Sequence, residues 1–395
     1  MDNIRILYVT RPNFYNIFGG DTVQVNKIKE FILKMHNICI DIITIDEFAN
    51  EEKYLSYDIY HFWGIAADLN ILDIVKLLKK HNKKVVVNTI YWNLTHTFFL
   101  NFFISKFLNY KTNLQLEKMC LFFNLFIILP IAYIVPKYRK KIQNVFGSKK
   151  FKSVRTEVLK LSDSIIPNSD EEMFVLCDDI TMDYKLIGEK YIAIPNAVDV
   201  SKLNKECNEI ILPNLTDFVI EAAGIEPLKN QLSIVKALMN NKNIPIVFAG
   251  AIRDERYFKK IKEIAEKRGN VFFTGKIKEE QLFDLYKRAK VHVLSSFRES
   301  PGLSTLEALI CGTQIVVSNE KFCPIKYYKF DKYGFVCNPY DVNSIRNSIL
   351  NAYNNPKDIS LPDDYIKFFS YENAAKMTYE VYKTVLRQND SIEKN

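Results

Sequence analysis

Short apolar runs recur along the chain, most of them closing on Gly, Pro, Asn, Thr or Ser and followed by a stretch with helical periodicity. In the first half they are "NIRILYVT" (3–10), "NICIDIITI" (37–45), "DIYHFWG" (58–64), "KKVVVNTI" (83–90), "SDSIIPNS" (162–169) and "KYIAIPNA" (190–197). In the second they are "DFVIEAAG" (217–224), "PIVFAG" (245–250), "NVFFTG" (270–275), "VHVLSS" (291–296), "TQIVVS" (313–318) and "GFVCNP" (334–339). Strands that are apolar throughout, alternating with helices, predict parallel sheets covered on both faces. Each half reads as a doubly wound, Rossmann-like α/β domain, and two such domains facing each other would form a cleft. Periodicity is lost over 196–215, where Asn, Pro and charge cluster. That places a first domain over 1–200 and a second over 201–370. A last helix, "YENAAKMTYEVYKTVLR" (371–387), is expected to pack back on the first domain.

Composition adds three constraints. A chain of 395 residues suits two cores better than one. Its seven cysteines are scattered with no C-x-x-C, which argues against a disulfide framework or a zinc site and for a reducing compartment. The opening "MDNIRILYVT" reads as a first strand, not a signal peptide.

Charge singles out an insertion in the first domain. The net charge is +8, but residues 94–160 hold twelve Lys and Arg against two Glu, or +10, which leaves the rest at −2. The same segment contains "HTFFLNFFISKFL" (96–108) and eighteen uncharged residues, "MCLFFNLFIILPIAYIVP" (119–136). A single crossing would put strands of one sheet on opposite sides of a membrane, and Pro130 interrupts the run. A shallow insertion into one leaflet, with the basic flanks on anionic headgroups, fits the pattern; buried helices with a solvated basic loop are the plainer reading.

The stretch "KVHVLSSFRESPGLSTLEALICGTQIVVS" (290–318) carries the candidate chemistry. It reads as strand, loop, helix, Gly312 at a left-handed helix end, then strand. Ser304 and Glu307 match a capping box, which leaves Glu299, Pro301 and Gly302 without a structural reason. Amides at a helix start bind anions, Gly302 permits close approach to the main chain, and the two acids can accept from hydroxyl groups. On spacing alone, a diphosphate flanked by hydroxyl-binding carboxylates is one reading, and a simple helix cap is another.

With those residues stated, the stretch resembles the E-x7-E signature of family-4 retaining glycosyltransferases of GT-B fold. "IPNAVD" (194–199), the glycine loop "FGGDTVQVNKIKE" (18–30), "GIEPLKNQLSIVKAL" (224–238) and "NVFFTGKIKEEQLFDLY" (270–286) resemble further motifs of that family. The resemblance implies that Glu299 and Lys229 act on the donor sugar and the leaving diphosphate, and are the catalytic pair. It implies that Glu307 holds the ribose, that Gly302 and Leu303 meet the diphosphate, and that Ile277 borders the base. Gly19, Gly20, Asn196 and Arg298 fall on the donor side. The donor would be a nucleotide diphosphate sugar, with no cofactor, no metal and no nucleic acid. The acceptor would be lipid-linked or a growing surface polysaccharide, at the cytoplasmic face of the cell membrane of a bacterium. Two departures stand out. Gly224 occupies the place of an Arg usual in the family, with Arg11, Arg298 and Arg253 as candidate replacements. Tyr91 and Trp92 stand where a His is usual; with His61 and Arg11 they are acceptor-side candidates. A catalytically silent homologue that scaffolds a membrane complex, favoured by Gly224, and a nucleotide-sugar epimerase of the same fold are the alternatives.

The membrane reading of 94–160 predicts cosedimentation with anionic liposomes that weakens as salt rises. Absence of binding at low salt would leave the buried-helix reading.

Overall fold

The structure is a computed structural model and describes residues 4–16, 19–48, 52–65, 70–92, 149–202 and 207–387. Most of the basic, apolar segment 94–160 therefore lies outside the described residues. Its end, from Lys149, forms a helix. Among the described residues no helix is long and apolar enough to cross a membrane. The chain divides into two compact units, with one division between Ala197 and Val198 and another between Ile366 and Lys367.

The first unit is built on a parallel sheet of β1 (Arg5–Thr10), β2 (Cys39–Thr44), β3 (Ile59–Trp63), β4 (Lys84–Asn88) and β5 (Ser164–Ile166), in the order β2-β1-β3-β4-β5. Strands β3 and β4 are buried at every position, as parallel strands covered on both faces must be. Helices α1 (Gly20–Met35), α2 (Ile71–Lys80), α3 (Lys149–Leu161) and α4 (Asp170–Ile180) accompany them. The C-terminal helix, Tyr371–Arg387, packs beside α1 and completes the core around Tyr8, Val25, Ile28, Ile32 and Tyr382. One buried amide ties three segments together. The Gln24 side chain donates to Ala197 O (2.9 Å) and Tyr371 Oη (2.7 Å) and accepts from Ala197 N (3.2 Å).

The apolar run 190–197 is not a strand. Only Tyr191 pairs, with Ile165, and the run touches β5 through Ile192 N to Ile165 O (2.9 Å) and the residue after it through Ile194 N to Pro167 O (3.0 Å). Pro195 cannot donate to a ladder, and both backbone groups of Ala197 are taken by Gln24.

The second unit holds β6 (Phe218–Ala222), β7 (Ile246–Ala249), β8 (Val271–Gly275), β9 (Ala289–Leu294), β10 (Gln314–Ser318) and β11 (Phe335–Cys337), all parallel, in the order β11-β10-β9-β6-β7-β8. Its helices include α5 (Gln231–Ala237), α6 (Glu255–Arg268), α7 (Glu279–Arg288), α8 (Leu303–Ile310) and α9 (Val342–Asn354). The chain runs outward from β6 to β8, then returns to the other flank of β6 as β9 and runs outward again to β11. Strand order thus reverses between β6 and β9. At such a point the connections leave the carboxyl ends in opposite directions and open a crevice. Val219, Val291, Val293 and Val316 fill one face of the sheet against Ile234, Val235, Ile345 and Ile349.

Candidate active site

Because β6 and β9 are neighbours, the loops that follow them meet at the carboxyl end of the sheet. After β6 the chain makes a 3-10 turn, Pro227–Lys229, with Pro227 at its first position, where a missing N–H costs nothing. Asn230 then takes a left-handed conformation (φ +66°). Its side-chain amide donates to Ser295 O (3.1 Å), just beyond β9, and to Pro339 O (2.8 Å). Phe297 N donates to Leu228 O (2.9 Å), Glu299 N to Phe322 O (2.8 Å), and Ser318 Oγ to Ser296 O (2.6 Å). The two loops are stitched to each other and to the strands beside them.

This stitching brings Lys229 Nζ to 2.6 Å from Glu299 Oε1, with the side chains 19% and 8% exposed. Charges held that far from bulk water interact more strongly than at a surface, and removing one leaves the other uncompensated. The chain then passes a cis Ser300–Pro301 bond and enters α8. Gly302 is the cap residue, at φ +92°. The conformation favours glycine, and a Cβ there, 2.7 Å from Leu294 Cδ2, would also have to displace that side chain. The first amides of α8, starting with Leu303, have no partners within the helix and carry its positive dipole end. The expected capping box does not form. The helix starts two residues earlier, at Leu303, so Ser304 is already its second residue and no side chain caps the end. Gly312 does take the left-handed position that closes the helix (φ +86°).

Glu307, one turn into α8, is half-buried and accepts from Tyr286 Oη (3.4 Å). Burial pushes its carboxyl up to about 8; the Glu279 charge adds to this, and the Tyr286 hydroxyl and Lys202 oppose it. Lys202 and Glu279 are themselves an ion pair. Ile277 lies partly buried between β8 and α7, and Arg298 partly buried beside Glu299. The Arg253 side chain lies over Gly224: a Cβ on Gly224 would be 2.6 Å from Arg253 Nε. Its guanidinium also reaches Glu226 Oε1 (3.2 Å), at the base of the turn that carries Lys229.

The remaining candidates lie in the first unit. Gly19 caps α1 and Gly20 is its first residue; Gly19 is extended (φ −147°) and its conformation does not demand glycine. Arg11 is engaged with Asp21 (2.5 Å) and Asn13 O (3.2 Å) in front of α1. Asn196 is partly buried in the segment pinned by Gln24. Three acceptor-side assignments do not fit the packing. Tyr91 and Trp92 are each 1% exposed, and Tyr91 Oη donates to Asp179 (2.5 Å), so their rings belong to the core and offer no face to a sugar or lipid. His61 is fully buried, with Nδ1 bonded to Tyr382 Oη (2.6 Å) and Nε2 to Asn88 Oδ1. Burial pulls its imidazole down to about 3, so it is a neutral structural group.

Two features were not singled out from sequence. Tyr286 reaches Glu307 from α7, which no spacing rule signals. Glu221 is an acid in the middle of "FVIEA", an otherwise apolar strand, and that pattern does point to it.

Two parallel-sheet α/β units in one chain, with a charged pair and a helix start at the reversal of strand order, define the GT-B class of fold. Residues 208–368, all but the last two of them in the second unit, match the family described as glycosyl transferases group 1. Among curated proteins, the serotype-specific mannosyltransferase WbdA of Escherichia coli is 26% identical over 222 residues, 52% of this chain and 26% of that protein. The alpha-monoglucosyldiacylglycerol synthase of Streptococcus pneumoniae is 26% identical over 236 residues, 54% of this chain and 51% of that one. The chain thus spans between a quarter and half of the length of these relatives. Among solved structures, Anabaena HepE in complex with UDP and glucose superposes with a TM-score of 0.59 over 99% of this chain and all of that one, at 13% identity. At that identity the likeness shows the fold alone.

The state of Glu307 is testable. A carboxyl raised from 4.5 to about 8 binds extra proton in the folded state, so stability declines as pH rises through that window and then levels. Glu307→Gln should abolish this decline, giving a melting temperature that falls less than the wild type's between pH ~5 and ~8. Parallel curves would show that the carboxyl ionises normally.

Proposed function

We propose that this chain is a glycosyltransferase that moves a sugar from a nucleoside diphosphate sugar to a hydroxyl acceptor, with the anomeric configuration retained. The observation that carries the reading is the Lys229–Glu299 pair beside the start of α8, in the unit that matches glycosyl transferases group 1. The pair suits a donor with charge at one end and hydroxyls at the other. The diphosphate lies on the amides of Gly302 and Leu303, and Lys229 turns from Glu299 toward the leaving phosphate. Glu299, freed of its counter-ion, accepts from a sugar hydroxyl. Glu307, partly protonated near neutral pH, both donates to and accepts from the ribose diol, and Ile277 borders the base.

In the reaction, the acceptor oxygen forms a bond to the anomeric carbon as the bond from that carbon to the phosphate oxygen breaks. The acceptor proton passes to the leaving diphosphate on the same face. Lys229 and the α8 amides stabilise the charge that develops on the diphosphate, the kind of term that dominates such catalysis, and no metal is required. Arg253, lying over Gly224, supplies the cation that a side chain at 224 would otherwise bring. Gly19, Gly20 and Asn196 of the first unit, and Arg298, are assigned to the donor.

The named relatives support a saccharide or lipid acceptor: one is a mannosyltransferase, another a diacylglycerol glycoside synthase. The basic, apolar segment 94–160 supports action at the inner face of the cell membrane on a lipid-linked or growing surface polysaccharide.

Supplying a lipid-linked acceptor should cause release of nucleoside diphosphate from the correct donor. Lys229→Ala and Glu299→Ala should each lower that turnover by about 10²–10³, the usual loss for a group that meets developing charge. Turnover within a few-fold of wild type in both variants would remove the pair from the mechanism.

A further inference from the structure

Glu221 is the next-to-last residue of β6, at the strand reversal that makes the site. It is 1% exposed, and neither carboxyl oxygen has a hydrogen-bond partner among the described residues. Its ladder partner on β7 is Phe248, and Val219, Val291 and Val293 fill the same core. An ionised carboxylate in such surroundings, with nothing donating to it, carries a large desolvation cost; a neutral acid does not.

The charged groups that act on Glu221 are those of the site: Lys229 from the 3-10 turn and Glu299 from the loop after β9. Burial drives the Glu221 carboxyl well above its ordinary range, Lys229 opposes this, and Glu299 adds to it. The charge of one ammonium therefore acts on two acids and can be paired with only one. It sits on the outer acid, Glu299, at 2.6 Å. Glu221, the more buried of the two, has no ion-pair partner among the described residues.

We propose that Glu221 is a positioning residue for Lys229: as a neutral acid it leaves the ammonium on its outer partner, in reach of a nucleoside diphosphate, and as a carboxylate it draws the ammonium inward. The consequence for the donor rests on the transferase reading. The consequence for Lys229 does not, so the test reads Lys229 itself.

The full chain is trace-labelled with acetic anhydride between pH 7 and 11, and acetylation of Lys229 is measured by peptide mass spectrometry against exposed lysines. The comparison is with Glu221→Gln, which mimics the neutral acid, and Glu221→Met, which removes the polar atoms if the amide variant does not fold. An opposite charge at close range raises an amine's pKa by about a unit or more. Lys229 of the wild type should therefore label about tenfold less than that of either variant at alkaline pH, and equally at pH 7. The wild-type curve alone should show a second inflection. Superimposable curves across the range would overturn the proposal, and so would a tenfold gap already present at pH 7, because Glu221 would then be charged throughout. Binding of UDP and GDP by calorimetry separates the two readings. No binding at any pH would sink the donor assignment while the labelling result stands. Binding that weakens equally with pH in wild type and Glu221→Gln would sink the Glu221 proposal alone.

Discussion

The candidate site depends on the parallel pairing of β6 with β9. That pairing reverses the strand order and brings the turn carrying Lys229 against the loop carrying Glu299, seventy residues further along the chain. The side-chain amide of Asn230 converts proximity into fixed geometry, because it satisfies carbonyls from the β9 loop and from the segment after β11 at once. With both donors of that buried amide used the joint is rigid, and losing either bond would be a costly defect.

Electrostatics follow from that geometry. The site holds three carboxyls at different depths: Glu299 paired, Glu221 sealed in the sheet, Glu307 partly open on α8. Burial keeps Glu221 and Glu307 reluctant to ionise, which leaves Lys229 and the positive end of α8 as an attractive surface for an anion despite the acids around them. In the proposed donor site, Glu299 and Glu307 are the acids left to meet hydroxyl groups, since Glu221 is sealed in the sheet. Gly302 belongs to the same design, since its φ and the nearness of Leu294 let α8 start directly beside Glu299.

Much of this was legible in the sequence, and the failures share a cause. Eleven of the twelve expected strands form, because buried parallel strands must be short apolar runs with β-branched residues. The twelfth, 190–197, has the same apolar pattern but lacks ladder donors once Pro195 and the Gln24 contacts are counted, and those contacts span 173 residues. Glu299, Gly302 and Lys229 were readable as residue types in a strand–loop–helix context. Their meeting was not, since spacing says nothing about sheet order. Tyr91, Trp92 and His61 looked like residues at the lip of a site because an aromatic or a histidine at a strand end reads alike whether exposed or buried. What decides is a distant partner, Asp179 for Tyr91 and Tyr382 for His61. The capping box failed for a local reason: S-x-x-E fits only if Ser304 is the cap, and Gly302 had already taken that place.

The loops after β6 and β9 are proposed to form the donor site. Hydrogen–deuterium exchange with a panel of nucleotide sugars tests it most directly, because it reports where a ligand binds whether or not turnover follows. One donor should slow exchange at residues 226–231 and 299–307, with the effect centred on the start of α8. A nucleotide sugar that binds and stabilises the protein while protecting only segments elsewhere would contradict the account.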